Sequence, residues 1–106
     1  PSTGSNWYCC DGILSGNATE NPLFHDWTMV FINYCDGSSF TGNRNNTFNG
    51  LHYRGRANLD AVLDDLIAKE QLSTATQVVW TGGSAGVLAV YLNADHVASR
   101  LPGVDV

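Results

Sequence analysis

Three apolar patterns divide the chain. Residues 28–34 are rich in β-branched and aromatic side chains, and Met29, Val30, Phe31 and Ile32 form an unbroken apolar run. That pattern predicts a strand buried on both faces, as in a parallel sheet. Leu59, Val62, Leu63, Leu66 and Ile67 recur at helical spacing. They predict an amphipathic helix over roughly residues 57–70, with Asp60, Asp64 and Asp65 on its solvated side. Gln77, Val78, Val79 and Trp80 read as a second strand. The small and apolar residues from Ala85 to about Ala94 then predict a second helix. Between these elements the chain is polar. Residues 1–6 and 11–21 read as surface loop, 36–42 as a turn at the first strand's end, and 43–50 as a polar loop with a hairpin tip.

The order is strand, loop, helix, strand, tight turn, helix. This is a βαβ unit with a following helix, so the expected class is α/β, with parallel strands and a right-handed crossover. Ligands of such sheets bind outside the carboxyl ends of the strands. Both the 36–42 turn and the turn after Trp80 belong at such ends.

That second turn is Gly82-Gly83-Ser84-Ala85-Gly86. A Gly-x-Ser-x-Gly sequence between a strand and a helix is what a nucleophile elbow needs. Gly82 and Gly86 lack the Cβ atoms that would clash across a sharp turn. Ser84 is expected at the tip in a strained conformation, its hydroxyl facing a cleft and the Ala85 amide aimed at a developing oxyanion. A glycine-rich turn without chemistry is the competing reading. The strand before it and the helix after it favour catalysis.

Composition narrows the options. The chain has 106 residues, room for one small domain. Ten acidic residues against five basic give a net charge of -5, which excludes nucleic acid as the expected partner, since phosphate contacts need clustered Lys and Arg. No apolar run approaches the ~18 residues of a membrane span. Cys9, Cys10 and Cys35 are odd in number, and the adjacent pair lacks C-x-x-C spacing, so no metal site is expected. Asn17-Ala18-Thr19 and Asn45-Asn46-Thr47 are sequons in turn-rich stretches, and Asn17 and Asn45 are candidate glycosylation sites. With the cysteines they point toward secretion. His25, His52 and His96 are the candidate bases. His96, beside Asp95, is expected on the surface near the end of the second helix. His25 and His52 lie in loops that could approach the rim, and His52 is the better candidate. Asp36 reads as a cleft residue or as an Asx-turn, the latter favoured.

Four segments carry a family likeness. They are Trp7-Tyr8-Cys9; Gly12-Ile13-Leu14-Ser15 with Asn21-Pro22 and Trp27; Tyr34-Cys35-Asp36-Gly37-Ser38-Ser39-Phe40-Thr41-Gly42 with Tyr53-Arg54-Gly55; and Thr81-Gly82-Gly83-Ser84-Ala85-Gly86 with Asp95 beyond. In this order they resemble the pectin acetylesterase family, which also contains the Notum carboxylesterases. The resemblance implies a secreted or cell-wall serine esterase with a three-layer α/β-hydrolase-like fold and no cofactor. It implies Ser84 as nucleophile and the backbone amides of Trp7 and Ala85 as the oxyanion hole. An arginine near the cleft, Arg54 or Arg56, could meet a substrate carboxylate or pair with an aspartate of the following helix. Trp7, Trp27 and Trp80 could stack on sugar or lie in the core.

The chain departs from the family at Ser5-Asn6, where the family has two glycines, and at Val87, where the serine motif continues with glycine. In this fold class the triad runs Ser, Asp, His along the chain. Its Asp and His are expected beyond this chain. Residues 1–106 are therefore expected to be part of a single α/β-hydrolase domain, incomplete at both ends and inactive alone. The implied substrate is an acetylated pectin-like polysaccharide. The alternatives are a fatty-acylated protein, as in the Notum branch, or a binding module that has lost the triad. Oligomeric state and cysteine pairing stay open.

Overall fold

The computed structural model describes residues 11–106. They fall into two compact units, one ending at Asn33 and the other running from Tyr34 to Val106.

The first unit is a loop organised by two side chains. A 3-10 turn spans Gly12–Leu14. Buried Asn21 donates from Nδ2 to the carbonyls of Ile13 (2.8 Å) and Ser15 (2.9 Å), and its Oδ1 accepts from the Phe24 amide. Glu20 accepts from the Gly12 amide at 2.9 Å and the Ser15 hydroxyl at 2.8 Å. Those two bonds hold its carboxyl below the usual carboxylate range. Trp27 meets Phe24 edge to face with ring centroids 4.9 Å apart. Among its described residues the unit thus has a polar scaffold.

The second unit is built on two helices, α1 (Gly55–Lys69) and α2 (Ala85–Arg100), with a 3-10 turn at Leu72–Thr74 between them. The apolar spacing read for α1 holds, and Leu59 and Leu63 are buried. On α2 the buried positions are Ala89, Asn93 and Val97, with Leu101 just beyond. Four polar pairs join the helices. Arg56 donates to Asn93 Oδ1 at 2.9 Å, His96 bonds Asp60, and Arg100 pairs with Asp64 and, at 3.6 Å, with Asp60. The partners advance together along both helices, from 56 and 93 to 64 and 100, so α1 and α2 run parallel. Two helices joined by a short hairpin would run antiparallel. A parallel pair needs a return segment, which is what a βαβα order provides.

Two expectations need correction here. Asp60 is not on a solvated face, because it is half-buried against His96 and Arg100 of α2; Asp64 and Asp65 are exposed as expected, Asp64 reaching across to Arg100 and Asp65 pairing with Lys69 on its own helix. Helix α2 also continues past Ala94 to Arg100. Polar residues end the apolar pattern there, yet His96 and Arg100 bond to α1 and Val97 and Leu101 are buried.

The α/β class is met only in connectivity. Among the described residues there is no regular strand, and residues 28–35 and 78–82 are irregular. A strand exists through its neighbours' ladders, and an isolated one has nothing to pair with. Half-exposed Val30 and Phe31 are consistent with a segment not enclosed on both faces. One parallel bridge is present, Gln77 with Asp105, carried by the Val78 amide to the Asp105 carbonyl at 2.7 Å. It pairs the segments before and after α2, as a parallel β-α-β crossing would. The expected hairpin tip is also present. Phe48 and Leu51 form an antiparallel bridge around Asn49-Gly50, whose positive φ values, 50° and 73°, suit a type I′ turn.

Candidate active site

Ser84 stands immediately before α2, with φ 53° and ψ −117°. A non-glycine residue there carries backbone strain, held in place by its surroundings. The surroundings are visible. The Gly86 amide donates to the Gly83 carbonyl at 2.8 Å and the Val87 amide to the Ser84 carbonyl at 3.0 Å, closing the turn on both sides of the serine. A Cβ on Gly82 would lie 2.5 Å from the Gly86 carbonyl, so the chain can fold back this tightly only with glycine at 82. A Cβ on Gly86 would meet nothing within 4 Å. The expectation that both glycines avoid a clash therefore holds for Gly82 alone, which packs against the Gly86 main chain.

The serine side chain is left free by this geometry. Ser84 is exposed and occupies the N-cap position, yet its hydroxyl does not cap the helix. Among the described residues it makes no hydrogen bond. Ala85 opens α2, so its amide is one of the first-turn donors without an intrahelical acceptor. An exposed, unbonded hydroxyl next to an unpaired amide at a helix N-terminus can attack a carbonyl carbon and stabilise the resulting oxyanion, once a base is supplied.

No base is supplied by the described residues. His96 is bonded to Asp60 in the helix seam. It is half-buried there, not the surface residue expected from its position near the end of α2. His52 is exposed and His25 lies in the other unit with Nδ1 buried and unpartnered. Neither His52 nor His96 bonds Ser84. Asp95 is exposed. Trp7, the second expected oxyanion donor, lies outside the described residues, as do Cys9 and Cys10. Cys35 is exposed and free. No group of three or more His, Cys, Asp or Glu suited to a metal occurs among the described residues.

The other segment of interest, 36–42, is a self-supporting loop. Asp36 Oδ2 accepts from the Ser38 hydroxyl at 2.7 Å and the Phe40 amide at 3.0 Å, an Asx-type arrangement. The Ser39 amide donates to the Tyr34 hydroxyl, and Ser39 and Phe40 both have positive φ. Gly55, the first residue of α1, packs so closely that a Cβ there would run into the Asp36 carboxylate. The Gly42 carbonyl accepts from the Arg56 amide at 2.8 Å. Loop and helix start are thus one locked assembly. The Asx-turn of Asp36 was legible in the sequence, whereas the close packing of Gly55 against it was not, although Tyr53-Arg54-Gly55 belongs to the same family-like segment. Arg54 donates to the Asn45 carbonyl, which commits it to the hairpin. Arg56, not Arg54, pairs with an aspartate, Asp60 at 3.9 Å. Asn17 and Asn45 are both exposed.

A family model described as pectinacetylesterase matches residues 3–106. Among curated relatives, pectin acetylesterase 7 of Arabidopsis thaliana is 44% identical over 93 residues, covering 86% of this chain and 24% of the relative. The palmitoleoyl-protein carboxylesterase NOTUM of Schmidtea mediterranea is 40% identical over 90 residues, covering 85% of this chain and 17% of the relative. Its Homo sapiens namesake is 35% identical over 91 residues, covering 85% and 18%. The chain thus spans about a quarter or less of the length of these relatives. No solved structure matches.

Proposed function

This chain belongs to the pectinacetylesterase family, and we propose that its parent protein is a serine carboxylesterase, secreted or held in the cell wall, with Ser84 as nucleophile. The observation that carries this is the strained backbone of Ser84, φ 53° and ψ −117°, with its hydroxyl exposed at the head of α2 and unbonded among the described residues. Ser84 Oγ attacks the ester carbonyl, the Ala85 amide and that of Trp7 receive the oxyanion, and the alcohol leaves. Water then releases the acid from the acyl-enzyme. The histidine that takes the serine proton, and the aspartate that orients it, come from beyond this chain. Each oxyanion donor contributes on the order of 10²–10³ in rate.

The substrate we propose is an acetylated pectin-like polysaccharide. A second reading, removal of a fatty acyl group from a protein, draws comparable support from the 40% identity to the planarian palmitoleoyl-protein carboxylesterase. The parent protein should be assayed on acetylated pectin and on a palmitoleoylated peptide. Release of acetate but not of palmitoleate supports the first reading, and the reverse supports the second. Ser84→Ala should lower kcat/KM by about 10⁴-fold or more. Equal turnover by wild type and Ser84→Ala would place the nucleophile elsewhere, and none by either would leave a non-catalytic binding module as the better description.

A further inference from the structure

We propose that Asn17 carries an N-linked glycan. The loop presents every atom that this modification reads. Asn17, Ala18 and Thr19 are all exposed. Asn17 Oδ1 accepts from the Thr19 amide at 2.9 Å, so the side chain is held in one orientation by the sequon's own third residue. The carboxamide nitrogen, Nδ2, makes no hydrogen bond, nor does the Thr19 hydroxyl, among the described residues. The main chain around them is fixed, because the Asn17 carbonyl accepts from the amides of Glu20 (3.0 Å) and Asn21 (2.8 Å), and the Asn17 amide donates to the Ser15 hydroxyl. Asn21, four residues on, is the contrast: it is buried and its Nδ2 is used twice. A glycan on Asn17 would displace no hydrogen bond of the described residues, and it would project from a scaffold that Asn21 and Glu20 keep in place.

The reaction forms a bond from Asn17 Nδ2 to the anomeric carbon of a sugar. The broken bond joins that carbon to a polyprenyl-diphosphate donor, the diphosphate leaves, and Nδ2 loses one proton. Such sequons are glycosylated in chains that enter the secretory pathway, so the inference rests on the secreted reading above. Asn45 is exposed too, but its side chain makes no such bond to its own Thr47, and it serves here as the internal control.

The test is made on the parent protein recovered from its natural source. Its N-glycans are released by an amidase in oxygen-18 water, and the peptides are read by mass. The expected result is labelled aspartate at position 17, lost in Thr19→Ala and kept in Thr19→Ser. Unlabelled Asn17 in a protein found outside the cell, or labelled at Asn45, would overturn the glycan and leave secretion standing. Unlabelled asparagines in a protein retained in the cytosol would overturn both.

Discussion

A side chain's chemistry here depends on which neighbours leave it free. Among the described residues the Ser84 hydroxyl makes no hydrogen bond, because backbone bonds on either side close the turn without it. The turn in turn depends on Gly82. Gly82→Ala should destabilise the parent protein by about 1–3 kcal/mol, since its Cβ meets main chain that cannot rotate away. Gly83→Ala, whose Cβ meets nothing within 4 Å, should leave Tm near that of wild type. Equal Tm losses in the two variants would contradict this account of the elbow. Glu20 makes a prediction about pH. Its pKa is lowered in the folded loop by the Gly12 amide and the Ser15 hydroxyl. The stabilisation is complete above the unfolded value and fades as pH falls through the depressed folded value. Acid should therefore loosen the Gly12–Leu14 turn. The Gly12 amide resonance should titrate with a midpoint below the ordinary carboxylate range and stay flat in Glu20→Gln. A midpoint at the ordinary value would mean the two bonds do not form.

At the level of elements, helices and strands differed in how far they could be read ahead. The α1 spacing of Leu59, Leu63 and their neighbours needs only a partner surface on one side, and α2 provides it. Leu59 is fully buried, so Leu59→Ala should cost about 2–5 kcal/mol and lower Tm accordingly. Asp65→Ala should stay within about 0.5 kcal/mol, because the Asp65–Lys69 pair is exposed and such pairs contribute little. Similar losses in both variants would sink the assignment of the core to this seam. The polar half of that seam was not legible. Nothing in the spacing distinguishes Asp60 and Asp64, which face α2, from Asp65, which does not; only the parallel placement of the helices decides it. The elbow and the Asp36 loop were legible because short-range motifs dictate them. The strands were only half legible: composition marks residues 28–34 as strand-forming, but pairing is a property of segments far apart in sequence, and a single bridge at Gln77 is realised.

The whole chain carries one more physical signal, in the helix that follows the elbow. Helix α2 buries Ala89, Asn93 and Val97 toward α1, yet it is apolar on a second side as well. Tyr91 is 82% exposed, Leu92 61%, Leu88 56% and Val87 43%. A helix apolar on two faces belongs between two layers, and the family relatives are about four times longer or more than this chain. We therefore expect the parent protein to cover that second face. The 106 residues expressed alone should bind a hydrophobic dye, self-associate and unfold without a cooperative transition, since an exposed apolar stripe favours sticking over solvation. They should also fail to hydrolyse an aryl acetate, because neither His52 nor His96 bonds Ser84 and the base is expected from beyond this chain. Leu88→Lys and Leu92→Lys together separate exposure from misfolding. If the bare face causes the association, the double variant should be more soluble as the isolated piece, whereas in the parent protein the same change should be strongly destabilising by burying charge. A monomeric isolated piece with a sharp calorimetric transition would show that the chain completes its own core, and Ser84-dependent turnover by it would return His25 and His52 to consideration as the base.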